Sequence, residues 1–185
     1  MRSSFFSLFP ISLFLLLFPW TLHGATGNKL IHDTCKLMSE HNSNVNFGFC
    51  KASLQAAWER YYYPNDHEAL GSVSLIKIKV MDTRSYIVSS MIKAWKNNSS
   101  QLHVKTCLRC FKLHAAANDD LEKAVKYYKS QKYKEARAEA SAALAFLTTC
   151  EGRFKSSGLV SPLTKRYKKT VQLTAIALDI LSMLY

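Results

Sequence analysis

Cys110 and Cys150 stand at equal distances from Ser130-Gln131, and that symmetry constrains the fold more than any other feature of the chain. Apolar residues on both sides of this dipeptide recur at steps of three and four. Before it run Cys110, Leu113, Ala117, Leu121, Ala124 and Tyr128; after it run Tyr133, Ala136, Ala140, Ala143, Leu147, Cys150 and Phe154. Such spacing keeps one face of a helix turned toward a partner helix. Two antiparallel helices joined by a tight turn bring together residues equidistant from that turn. A Cys110–Cys150 bond would clamp them roughly 30 Å from it. Closing so long a loop predicts about 4 kcal/mol of stabilisation on the chain-entropy model. Cys107 lies one turn from Cys110 on a similar face, so geometry alone leaves Cys107–Cys150 open as an alternative. Cys35 and Cys50 are centred on polar His41–Asn44 and would staple a hairpin too short to be stable alone.

Disulfides presuppose an oxidising compartment, and the N-terminus points to one. Arg2 precedes an apolar run from Phe5 to Trp20, broken by Pro10 and Pro19 and followed by Gly24, Ala25, Thr26 and Gly27. The run is too short for a membrane span of about 20 residues. The order is that of a secretory signal peptide over residues 1–27, cleaved after Gly27 or, nearly as well, after Ala25. Residues 28–185 then form one domain with no membrane segment, destined for the extracellular space. Losing Arg2 lowers the formal charge from +12 to +11. So basic a domain suits acidic polysaccharide or acidic proteins, and secretion argues against nucleic acid.

The remaining chain reads as helix throughout, with segments near Lys29–Glu40, Asn46–Tyr61, His67–Lys96, Leu102–Lys129 and Lys132–Phe154. Pro64-Asn65-Asp66 offers an N-cap for the third segment. Gly158 can end the fifth. Ser161 suits an N-cap, and Pro162 the first position, of a last helix that carries Leu173, Ile176, Ala177, Ile180 and Leu181. Four long helices with short connections predict an all-α, up-down-up-down four-helix bundle preceded by a helical hairpin, with two disulfides.

Chemistry-bearing motifs are few. Cys107-Leu108-Arg109-Cys110 is a CxxC sequence, but it falls inside a helix with no βαβ pattern nearby, so structural cysteine is the better reading. A zinc site would need a second ligand pair at suitable spacing, and the histidines are scattered. Adjacent Asp119 and Asp120 diverge by about 100° on a helix and read as a solvated face. No nucleophile elbow, metalloprotease or phosphate-loop motif occurs. Neither an enzyme nor a cofactor is indicated. Asn97 and Asn98 head overlapping N-glycosylation sequons in a predicted loop.

The chain resembles the plant invertase and pectin methylesterase inhibitor family over about Leu30 to Leu184. Thr34-Cys35 with Asn44-Val45-Asn46-Phe47-Gly48-Phe49-Cys50 is similar to the family's first cysteine pair. Thr149-Cys150-Glu151, followed by Phe154, resembles its fourth-cysteine segment, the most specific part. Ser161-Pro162-Leu163-Thr164 and Leu173-Thr174-Ala175-Ile176-Ala177-Leu178 resemble the closing loop and helix. The pollen-allergen type of invertase inhibitor looks nearest. The resemblance implies pairs Cys35–Cys50 and Cys110–Cys150, with Cys107 an extra, free thiol. It implies an inhibitor that docks into a target enzyme, invertase or pectin methylesterase, without a cofactor. The Pro-Lys-Phe tripeptide of some members is absent, since Leu163 follows Pro162.

Partner contacts are expected from the bundle surface and from Ser161, Pro162, Leu163, Lys165 and Arg166. Lys and Arg residues also cluster near Arg153–Lys155 and Lys165–Lys169. An alternative of another class is a non-inhibitory basic protein that binds acidic cell-wall polysaccharide. Five histidines remain after residue 27, so charge could rise from +11 toward +16 below about pH 6.5.

Overall fold

The computed structural model describes residues 28–60, 67–96 and 101–185. Helix α1 spans 28–41, α2 Phe47–Arg60, α3 His67–Lys96, α4 Gln101–Lys129, α5 Tyr133–Ser156 and α6 Thr164–Ser182. The described residues hold no strand. Each of α3 to α6 packs against the next, and α6 closes the ring against α3. This is the up-down-up-down bundle expected from the apolar stripes. The expected leader (1–27), the expected cap at Pro64-Asn65-Asp66 and the Asn97 and Asn98 sequons lie outside the described residues.

The turn at residue 130 is as the cysteine symmetry requires. Gln131 adopts a left-handed conformation (φ 58°). Its N–H donates to the Tyr128 carbonyl and the Lys132 N–H to the Tyr127 carbonyl, both at 2.9 Å. These two bonds satisfy the last carbonyls of α4 in the Schellman pattern. Cys110 and Cys150 are bonded, with Cα atoms 4.9 Å apart. Cys35 and Cys50 form the second disulfide. Cys107 is free and buried.

The core has two parts. The larger joins Val73, Ile76 and Val80 of α3 to Ala117 and Leu121 of α4, Ala136 and Ala143 of α5, and Leu173 and Ile176 of α6. Alanines on α4 and α5 let these helices approach closely. Ile31, Met38 and Leu54 of the N-terminal hairpin insert into the same cluster. Asn42 Nδ2 donates to Asp179 Oδ2 at 2.9 Å and ties the hairpin turn to α6. The smaller cluster surrounds the Cys110–Cys150 bond with Ile87, Cys107, Phe154 and Leu163.

Two expectations need correction. Asp120 is not on a solvated face: it is 8% exposed, and its carboxylate accepts from Lys123 Nζ at 2.9 Å. Lys123 also lies 3.8 Å from Glu139, so the group bridges α4 and α5. Second, α6 begins at Thr164 rather than at Pro162. Ser161 Oγ still accepts the Leu163 N–H at 3.1 Å, but it caps a turn that precedes the helix.

Candidate functional site

The α5–α6 connection is built as a braced projection. Gly158 (φ 67°) ends α5 in a left-handed conformation that favours glycine. The Gly158 N–H donates to the Lys155 carbonyl and the Leu159 N–H to the Phe154 carbonyl, a second Schellman pattern. Leu159 packs back onto the cluster around Phe154, the apolar contact that usually accompanies it. Val160 then projects at 91% exposure. Glu151, on α5, holds the other side: Ser161 Oγ donates to its Oε2 at 2.7 Å, and Thr164 Oγ1 donates to its Oε1. The loop is therefore anchored on both flanks of its one apolar tip.

The expected contact residues divide. Pro162 is half-buried, whereas Lys165 and Arg166 are exposed. The Arg166 guanidinium sits 4.5 Å from the centre of the Tyr86 ring, which fixes its direction. Ser161 is engaged with Glu151. Leu163 is no contact residue: at 2% exposure it plugs the loop-end core beside Phe154 and the disulfide. An apolar residue in a loop read as surface had no periodic signal to mark it as core.

More of this end is apolar than the sequence suggested. Alternating direction places the C-termini of α3 and α5 and the N-termini of α4 and α6 at one end of the bundle. That end carries exposed Ile92, Trp95, Leu102 and Val160, with Trp95 78% exposed. Lys93, Lys96, Arg153, Lys155, Lys165 and Arg166 share the same end and are exposed. Exposed large apolar side chains among cations are a signature of interaction surfaces.

Among the described residues no three His, Cys, Asp or Glu side chains converge as metal ligands. The cavity beside the Cys110–Cys150 bond, lined by Thr83, His114, Glu151 and Tyr167 among others, measures about 10 Å³. That is room for about one water molecule. Cys107 is bonded to neither neighbour, and burial raises its thiol pKa. A raised pKa withholds the thiolate that redox chemistry needs.

His114 is buried against that cavity, and its Nδ1 lies 2.9 Å from the Cys110 carbonyl. The neutral ring therefore carries its proton on Nδ1 and donates it there. Burial pushes the pKa below the ordinary histidine value; the Cys110 carbonyl opposes this, and the Arg84 charge adds to it. A folded pKa below the unfolded one means that folding favours the neutral ring. This contribution is full above about pH 6.5 and is lost as pH falls through the folded pKa. His114 thus charges at a lower pH than an ordinary histidine. The melting temperature is expected to fall between pH 7.5 and pH 5, and His114→Leu to flatten that fall. Equal falls in both proteins would contradict the assignment.

The fold has relatives. The model of the plant invertase/pectin methylesterase inhibitor family matches residues 29–180. A protein of Platanus acerifolia named "Putative invertase inhibitor" is 32% identical over 165 residues, covering 88% of this chain and 89% of its own. One of the same name from Platanus orientalis is 32% identical over 157 residues, covering 84% and 89%. The crystal structure of a pectin methylesterase inhibitor from Arabidopsis thaliana superposes with a TM-score of 0.57 at 22% identity, over 76% of this chain and 89% of that one. A mutant form of an Arabidopsis pectin methylesterase inhibitor gives 0.62 at 22% identity, over 80% and 97%. These structures share the helical bundle. With the match running from the N-terminal hairpin into the last turns of α6, the chain belongs to the plant invertase/pectin methylesterase inhibitor family.

Proposed function

We propose that this chain is a secreted inhibitor that binds one-to-one to a plant carbohydrate-active enzyme, an invertase or a pectin methylesterase, and blocks it without chemistry of its own. The observation that carries the proposal is the braced loop end: Val160 on a doubly anchored turn, with exposed Trp95 and Ile92 at the same end. Preorganised loops bind without losing much conformational entropy, which is what an occluding inhibitor needs. Trp and Arg dominate binding energies at such surfaces, so Trp95 and Arg166 are the expected anchors. The surrounding cations speed encounter with an acidic enzyme face, an effect that salt weakens. Names of the Platanus relatives favour invertase, whereas the fold is shared with pectin methylesterase inhibitors; both targets belong in the assay.

The docking end is tested with Trp95→Ala and Val160→Asp in the oxidised protein, against the enzyme that the wild type inhibits. Each is expected to weaken inhibition more than tenfold, as loss of a central contact of about 2 kcal/mol does. Lys132→Ala, at the opposite end, should leave it unchanged. Full inhibition by both loop-end variants would remove this surface from the proposal.

A further inference from the structure

An open furrow of about 260 Å³ runs between α3 and α6, lined by Lys79, Thr83, Lys165, Arg166, Lys169 and Thr170. Its lining holds four cations and no carboxylate. Lys79 has one distant partner, Asp82 at 3.9 Å. Among the described residues no carboxylate lies within ion-pair reach of the three α6 cations. The first turn of α6 also lacks an acidic residue. Gathering like charges on two facing helices opposes folding unless something neutralises them.

The uncharged lining is equally specific. Thr83 Oγ1 donates to the Lys79 carbonyl at 2.7 Å, and Thr170 Oγ1 donates to the Arg166 carbonyl at 3.0 Å. Their protons are committed, so toward the furrow these hydroxyls can only accept. Through Lys79 and Lys169 the furrow continues into a wider cleft of about 650 Å³ with Phe49, Leu75 and Leu173 in its walls and one carboxylate, the exposed Glu59, so the cationic part of the channel is the furrow itself. One continuous channel thus offers cations for carboxylates, acceptors for hydroxyl groups and an apolar wall. Acidic sugars linked in a chain carry all three complementary features: carboxylates, hydroxyls and the apolar faces of their rings.

We propose that this channel binds a linear polyuronate, with successive carboxylates laid along Lys165, Arg166 and Lys169 of α6 and Lys79 opposite. Lys165 and Lys169 are separated by one turn, about 6 Å along the helix axis, so they meet different sugars of one chain. Such binding would hold the protein on an acidic matrix. The channel shares Arg166 with the loop end, but Lys79 and Lys169 are not among the residues assigned to enzyme contact, so variants at those two probe the channel alone.

The test uses the mature, oxidised protein and polygalacturonate, with fully methyl-esterified polygalacturonate and poly-glutamate as comparators. Saturable binding that weakens with salt is expected for polygalacturonate. The ester and poly-glutamate should bind at least tenfold more weakly. Lys79→Gln with Lys169→Gln should lower affinity about tenfold at unchanged helicity, the size expected for two exposed charge contacts. Lys132→Gln with Lys134→Gln removes the same charge at the other end and should leave binding intact. The proposal is overturned by equal binding of the ester, by equal binding of poly-glutamate, or by equal losses in the two double variants. No enzyme enters this readout, so its outcome is independent of whether the chain inhibits one.

Discussion

Replacing Cys110 and Cys150 together by serine is expected to lower the free energy of unfolding by about 4 kcal/mol. The bond closes a sequence separation of 40 residues, against 15 for Cys35–Cys50, whose removal should cost about 3 kcal/mol on the same reasoning. It sits in the cluster of Ile87, Phe154 and Leu163, at the end of the bundle that carries the braced loop. Both cysteines are replaced because either one alone would leave a thiol close to Cys107, and the pair could then reshuffle. The check is urea denaturation of the wild type and the double variant. A lower midpoint with similar slope is the expected result. A loss below about 1 kcal/mol would mean that helix packing, rather than the covalent clamp, holds α4 against α5.

Phe154→Ala comes next, with an expected loss of about 3–5 kcal/mol. Phe154 is fully buried and is the largest side chain among those so classed. Its ring meets His103 edge-on at 5.8 Å, and its carbonyl accepts the Leu159 N–H that turns the chain into the loop. The cavity left by alanine would open directly beneath the loop. Val160→Ala, six residues on and almost wholly exposed, should change stability by less than about 0.5 kcal/mol. Thermal unfolding of the two variants side by side checks the contrast. Similar losses in both would mean that the loop tip packs against the core, contrary to the architecture described.

How far the sequence could be read follows from which forces leave periodic traces. The α5 line from Ala136 to Phe154 is buried at every position named after Tyr133, because steps of three and four can serve nothing else on a helix facing partners. The turn at Ser130-Gln131 was legible for the same geometric reason, but spacing left Cys107–Cys150 open beside the Cys110–Cys150 pair that the fold holds. Buried polar residues were not. Thr83, Thr106, Thr170 and Thr174 are buried, and each donates to the carbonyl four residues earlier, so the helix itself satisfies them. His114 and Asp120 are tolerated inside through the Cys110 carbonyl and Lys123. A reading based on apolar spacing passes over all six.

The site was half legible. Lys165 and Arg166 are exposed, while Leu163 is core, and Glu151 braces the loop by meeting Ser161 and Thr164. Glu151 stood in the most specific motif of the family resemblance, but only the fold shows what its carboxylate holds. The exposure of Trp95 and Val160 was not legible, because it depends on how the helices turn, which a single stripe does not fix. The furrow cations were visible as a basic cluster on one helix; their convergence with Lys79 required α3 to pack against α6.

The central claim is inhibition by one-to-one occlusion, and a titration of the mature, oxidised protein tests it most directly. Fixed amounts of cell-wall invertase, vacuolar invertase and pectin methylesterase are assayed at pH 5 and pH 7.5 against increasing inhibitor. One of these enzymes is expected to be inhibited saturably, with its activity extinguished near an equimolar ratio. Full activity of all three at excess inhibitor, with helicity and both disulfides intact, would contradict it.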